Sequence, residues 1–315
     1  MINMYKISTR DAFGNALLRI AEENENVIAI AADTGKSMGY SPMEKKFPER
    51  VINIGIAEQN MMTAAAGLAS VGNLVFAASY APFTCMRACE SVRTFIAYPN
   101  LNVKIVGGLG GLSGNVEGVT HQGLEDIGIM RCIPNMTIVV PADAASTEVI
   151  VEEVARNYGP AYIRLGRGPV PKVFDENYKF QIGKANIVKE KGKDATIICN
   201  GVMVSRSIEA EKILSEKGYD VKLIEMPCVK PIDSESIINA AKETGAVITV
   251  EEHNIIGGLG SAVAEVLGEN MPVLLKRVGI KDVFTESGPH DKLLDKYGLA
   301  IEDIVYAVEE TIKSK

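Results

Sequence analysis

The apolar residues of this chain change their period again and again, and that alternation restricts it to one fold class. A helix-like stripe opens at Thr9 and runs through Phe13, Leu17 and Ile20. The unbroken apolar run over residues 27–32 then predicts a buried strand ending at Asp33. Further strands are predicted at 51–54, 74–76, 103–106, 137–140 and 162–165, with helices at 59–69, 83–96 and 143–156 between them. Continuous apolar strands alternating with helices predict a mainly parallel sheet sandwiched by helices, an α/β fold. The run Gly166-Arg167-Gly168-Pro169-Val170-Pro171 then stops both kinds of element, and residues 172–184 are polar and aperiodic. The pattern restarts with strands at 196–199, 221–224 and 247–250 and helices at 204–217, 257–267 and 301–312. The expected organisation is a first α/β domain over 1–170, a linker over 171–184 and a smaller α/β domain over 185–315, and 315 residues suit two domains of ordinary size.

Composition narrows the partners. The chain has 33 basic against 40 acidic residues and a net charge of -7, with no basic cluster, which argues against nucleic acid. No apolar run approaches the ~20 residues of a membrane span. Met1 to Arg10 lack the apolar stretch of a secretory signal. Cys85, Cys89, Cys132, Cys199 and Cys228 form no C-x-x-C pair, which suits reduced thiols and a cytoplasmic setting.

Four segments offer chemistry. In Gly55-Ile56-Ala57-Glu58-Gln59-Asn60-Met61 an acid stands where a buried strand gives way to a helix. Strand ends of that kind bind ligands in α/β sheets, and burial disfavours a carboxylate, which suits the acid to proton donation. Spacing alone favours the plainer reading, an acid placed at a helix start by the helix dipole. Tyr80-Ala81-Pro82-Phe83 could wall a flat ring or pack into the core, and Arg87 and Arg93 read as a solvated helix face. The glycine-rich run 107–114 follows a strand and suggests a phosphate cradle, but it fits neither nucleotide motif, and a mobile loop beside a site is at least as good a reading. In Glu117-Gly118-Val119-Thr120-His121-Gln122, His121 can donate protons near neutral pH or simply hold a local hydrogen bond. The Glu251-Glu252-His253 cluster lacks a second histidine at helical spacing, so it reads as a strand end used for packing, and His290 as a helix-start residue. No G-x-S-x-G nucleophile elbow occurs.

Taken together these segments resemble the C-terminal subunit of a split, two-gene transketolase, a thiamine diphosphate enzyme, over nearly the whole length. The Gly-Ile-Ala-Glu-Gln-Asn-Met run is the most diagnostic. Thr9-Arg10, Ala32-Asp33, Ile133-Pro134-Asn135-Met136, Pro141-Ala142-Asp143, Arg164-Leu165-Gly166-Arg167 and Glu251-Glu252-His253 support it. The resemblance implies a pyrimidine-binding domain followed by a transketolase C-terminal domain. It implies that Glu58 bonds N1′ of the cofactor aminopyrimidine, which favours the imino form that takes the proton from thiazolium C2. It places Tyr80, Phe83 and Met86 around the pyrimidine, with Met86 in the position of a third aromatic. His121 would contact the donor hydroxyl and the reacting carbon. Arg10, Ser37 and Arg167 would hold a sugar phosphate, with Lys36 adding to them.

Two departures bear on the substrate. Leu109 stands where the family often has a phosphate-binding histidine, and Glu117 replaces an aspartate that contacts a donor hydroxyl. A modified ketose, branched or sulfonated, becomes a serious option beside ordinary sugar phosphates. The family's Gly-Asp-Gly motif, which holds the diphosphate and Mg²⁺, is missing. The resemblance therefore implies an N-terminal partner subunit that carries this half of the site, no metal ligands in this chain, and an α₂β₂ heterotetramer. A 2-oxo acid dehydrogenase E1 β-type subunit, a deoxyxylulose phosphate synthase-like enzyme and a non-catalytic regulatory subunit are the alternatives.

Overall fold

A computed structural model describes residues 7–315. The first half runs β1 (Ile7–Ser8), α1 (Thr9–Glu23), β2 (Val27–Ala31), α2 (Ser41–Lys46), β3 (Val51–Asn53), α3 (Glu58–Ser70), β4 (Leu74–Tyr80), α4 (Cys89–Ser91), β5 (Val103–Gly108), α5 (Asp126–Arg131), β6 (Thr137–Val139), α6 (Ala144–Arg156) and β7 (Ala161–Arg164). The second half runs β8 (Pro169–Val170), β9 (Asn186–Lys189), β10 (Ala195–Cys199), α7 (Met203–Glu216), β11 (Val221–Glu225), β12 (Cys228–Lys230), α8 (Ser234–Thr244), β13 (Ala246–Asn254), α9 (Leu259–Asn270), β14 (Leu274–Ile280), α10 (His290–Lys296) and α11 (Ile301–Lys313).

Two large sheets follow from the two stretches of alternating pattern, beside a small antiparallel pairing of β1 with β8. The first has seven strands in the order β12-β6-β7-β5-β4-β2-β3, all parallel except β12. The second has five strands in the order β14-β13-β10-β11-β9, all parallel except β9. Each is covered on both faces. In the first sheet Ile30, Ala77 and Ile105 face one core, while Ala29, Phe76 and Val106 face the other. Burial on both faces explains why these strands read as unbroken apolar runs.

Local chemistry sets the helix starts. The Ser8 hydroxyl accepts the Asp11 N–H at 3.0 Å and caps α1, which then packs Phe13 and Leu17 into the core and lies against α6. Asp143 and Ser146 form a reciprocal capping box on α6. Each such cap contributes about 1 kcal/mol.

Several expectations are corrected. Residues 83–96 do not form one α-helix: wide π turns at Phe83–Arg87 and Val92–Ala97 flank the short α4. The wide turns keep Cys85, Ala88, Val92 and Ile96 in the core and leave Phe83, Met86 and Arg87 on the outer side. The run 107–114 is buried throughout, closing in 3₁₀ turns, where a mobile loop was expected. Helices α2, α5 and α8 and strands β1, β8, β9, β12 and β14 have no predicted counterpart. Charged and polar residues interrupt their apolar spacing, and β14 is exposed or half-buried over its first four residues and buried only over its last three. Strand β12 returns from the second half to pair with β6, so the two halves share the first sheet.

Candidate active site

Every segment singled out in the first half lies at the carboxyl ends of parallel strands. Strands β2 and β4 are neighbours, yet β2 continues to β3 on one side and β4 to β5 on the other. The crevice at such a reversal is where open α/β sheets bind ligands.

Glu58 opens α3 beside that crevice and is only 1% exposed. Its Oε2 accepts Arg87 Nη1 at 2.7 Å, and Ser79 Oγ donates to Oε1 at 3.3 Å. The helix-start reading and the strand-end reading therefore describe one residue. Arg87 is not a free surface cation: it reaches from the π turn to Glu58, and its guanidinium carbon lies 4.4 Å from the centre of the Phe83 ring. Neither Arg87 nor Ser79 was singled out as a site residue. The four-residue interval from Phe83 to Arg87, a helix-neighbour spacing, is the signal that could have placed Arg87 beside Phe83.

Three rings meet next to this pair. Tyr80 and Phe83 have centroids 6.0 Å apart, and the His121 ring lies 5.7 Å from Tyr80 and 5.3 Å from Phe83. His121 Nδ1 shares a hydrogen bond with Thr120 Oγ1 at 2.9 Å. The Tyr80 hydroxyl meets Ser37 Oγ at 3.2 Å, and Arg10 Nη1 donates to the Ser37 carbonyl at 2.9 Å. Glu58, Arg87, Phe83, His121, Tyr80, Ser37 and Arg10 thus form one unbroken series of contacts, assembled from five separate stretches of chain.

The remaining predicted residues sit around it. Arg167 and Glu117 pair with each other at 2.6 Å. Lys36 is exposed, and Leu109 is buried with its backbone in the left-handed region at φ 56°. Met86 borders an open cleft of about 370 Å³ with Pro82, Val119 and Phe284. Among the described residues no three His, Cys, Asp or Glu side chains are grouped to hold a metal ion. Glu251 caps α9 by accepting Leu259 N–H at 2.6 Å and Gly260 N–H at 2.7 Å, and His290 starts α10, as their structural readings require.

Comparison with known proteins agrees with this arrangement. The family pattern described as transketolase, pyrimidine binding domain, matches residues 5–172, and that of transketolase, C-terminal domain, matches residues 183–304. The chain is 40% identical to the 6-deoxy-6-sulfo-D-fructose transketolase subunit SqwH of Clostridium sp. (strain MSTE9), over 97% of this chain and 95% of that protein. It is 38% identical to an apulose-4-phosphate transketolase subunit of Phocaeicola vulgatus, over 98% of each. A solved structure described as a split gene transketolase, inactive beta4 tetramer, superposes with a TM-score of 0.90 at 46% identity, covering 98% of this chain and 99% of that one. Fold and matches together define an α/β protein of the thiamine diphosphate-dependent class. Within that class the chain belongs to the transketolase family, and its similar relatives are the C-terminal subunits of split transketolases.

Proposed function

We propose that this chain supplies the pyrimidine side of a transketolase site and that an N-terminal partner subunit supplies the diphosphate side. The reaction moves a two-carbon ketol unit from an anionic ketose to an aldose acceptor. One observation carries the reading: a fully enclosed carboxylate, two aromatic rings and a loop histidine are contiguous at the reversal point of a parallel sheet.

These residues fit the aminopyrimidine of thiamine diphosphate. Glu58 offers a buried carboxyl to a ring nitrogen, while Tyr80 and Phe83, with Met86 at the edge, offer apolar walls to a flat ring. When bound, thiamine diphosphate supplies the electron sink that ketol cleavage requires. Glu58 holds the proton at the pyrimidine nitrogen, and Arg87 and Ser79 orient its two oxygens. His121 stands over the same rings and exchanges a proton with a substrate hydroxyl. Arg10, Ser37, Lys36 and Arg167 receive the anionic end of the sugar, with Leu109 and Glu117 shaping its surroundings. Mg²⁺ and the diphosphate fall to the partner, because the Gly-Asp-Gly motif that would hold them does not occur in this sequence.

The partner has a face to meet. Phe284 is 82% exposed, and Met86 and Val119 lie open on the same cleft, while Ile56, two residues before Glu58, is 77% exposed. Large apolar side chains concentrated at a site mouth mark an interface. A relative described as a split gene transketolase, inactive beta4 tetramer, supports a chain that is inactive alone, and an α₂β₂ heterotetramer is the simplest symmetric assembly with a partner. The relatives named for sulfofructose and apulose 4-phosphate support a modified, negatively charged ketose as donor. Residues 171–184 serve as the linker between the two domains, and the cytoplasm is the expected setting. The test is co-purification with a chain carrying a Gly-Asp-Gly motif, followed by a donor screen with sulfonated, branched and ordinary ketose phosphates. Ketol transfer by this chain alone, or none by the pair with any donor, would refute the reading.

A further inference from the structure

The loop that carries His121 is held from the second half of the chain. Residues 109–123 leave β5 and close on themselves, Gly111 N–H donating to Gly123 O at 2.7 Å and Gly123 N–H to Leu109 O at 3.3 Å. Arg164 Nη2 donates to Gly123 O at 2.7 Å and to Glu252 O at 2.9 Å. On the far side Gln122 Nε2 donates to Glu286 O at 3.0 Å, and the Thr285 hydroxyl donates to Gln122 Oε1. At the centre a single atom, Glu252 Oε1, accepts both the Leu112 N–H at 2.7 Å and His290 Nε2–H at 2.6 Å. Gly111 sits at φ 67°, and a Cβ there would collide with the Glu252 side chain. The loop is glycine at that point because the carboxylate comes so close.

We propose that Glu252 and His290 are positioning residues: they lock the start of the 109–123 loop and so set where His121 stands over Tyr80 and Phe83. This rests on the role given to His121 above. It also gives the second domain a part in the chemistry, since that domain supplies the anchor and not a reacting group. A carboxylate that takes a charged donor and a backbone N–H on one oxygen makes strong, directional bonds, which resist sideways drift of the loop.

The anchor is open to protons. His290 lies on the wall of an open cleft of about 430 Å³ between Pro169, Pro171 and helices α7 and α10. Glu252 faces it from β13, Arg206 from α7 and Asp291 from its own helix, with Glu209, Asp295 and Glu302 lining the same cleft. Arg164 faces Glu252 from β7. Burial lowers the His290 pKa, but the charge and hydrogen bond of Glu252 outweigh it and leave the pKa raised. The charge-assisted anchor is therefore complete below the ordinary histidine range and fades as pH rises through the raised value.

Amide hydrogen exchange on the full chain, followed by kinetics of the reconstituted complex, tests this. At fixed neutral pH, Glu252→Ala should speed exchange in 109–123 about ten-fold or more while α1 and α11 keep wild-type protection. Glu252→Gln and His290→Gln keep the volume and fold even if Glu252→Ala does not; each should speed exchange there about three-fold. In the complex they should lower kcat about ten-fold with KM nearly constant, and His290→Gln should remove an alkaline limb that wild type shows in its kcat profile. Unchanged exchange in all three variants would overturn the anchor. Faster exchange with unchanged kcat and an unchanged pH profile would overturn its link to His121. A wild-type complex without ketol transfer would instead sink the functional reading, while the exchange data still judge the anchor.

Discussion

Glu58 shows how one side chain gains meaning from its neighbours. An acid at a helix start is ordinary, but this one is enclosed, bonded to Arg87 and Ser79, and set beside two aromatic rings. Glu58→Gln keeps the shape and removes the ionisable proton. In the reconstituted complex it should lower kcat about 10²–10⁴-fold, and the chain should melt as wild type does in circular dichroism. Near-wild-type turnover would take Glu58 out of the chemistry. The Arg167–Glu117 pair yields a second prediction. Arg167 is already engaged by a carboxylate at 2.6 Å, so an anionic substrate must compete for it. Glu117→Gln should free the guanidinium and lower KM for phosphorylated or sulfonated ketoses about three- to ten-fold, leaving uncharged ketoses nearly unaffected. An unchanged KM would remove Arg167 from the anion site.

Among the elements, the 171–184 segment and β11 make a pH-sensitive strap. Asp143 Oδ2 accepts the N–H groups of Val173 and Phe174, both at 2.7 Å, and Tyr178 donates to Glu225 Oε2 at 3.1 Å. Glu225 is wholly buried at the end of β11, and its Oε1 has no hydrogen-bond partner among the described residues. Burial pushes its pKa up to about 8, although Asn186 and Tyr178 donate to it and pull the other way. Between the ordinary value of 4.5 and about 8, the unfolded chain has lost a proton that the folded chain keeps. Stability from this group therefore falls as pH rises across that window. Glu225→Gln should raise Tm over wild type by about 2–8 °C on the alkaline side and by nothing near the lower end of the window. A constant Tm difference across that range in thermal melts would refute the assignment. The π turns at Phe83–Arg87 and Val92–Ala97 belong to the same level, because they decide which side chains of that stretch face the crevice.

At the scale of the whole molecule, the proposed site has an exposed apolar rim. Phe284→Asp should weaken association with the partner subunit about ten-fold or more by sedimentation, as loss of an aromatic interface anchor does. The melting of the chain alone should not move, because that ring is 82% exposed. Association as tight as wild type would place the partner elsewhere. This rim was not readable beforehand. An apolar residue in a loop gives no periodic signal, so Phe284 and Ile56 acquire significance only when their exposure is known.

Two kinds of information divide cleanly in this chain. Periodicity set the α/β class, the two stretches of alternating pattern and most strand positions, because burial on both faces writes itself into consecutive residues. Spacing within one segment also marked Glu58, Tyr80, Phe83 and His121 as candidates. It had no access to pairings between segments distant along the chain. Arg87 on Glu58, Glu117 on Arg167, β12 in the first sheet and Glu252 between Leu112 and His290 all span such separations. Those contacts are chosen by the packing of whole layers, where a side chain's partner depends on sheet order and crossover direction and leaves no trace in its immediate neighbours.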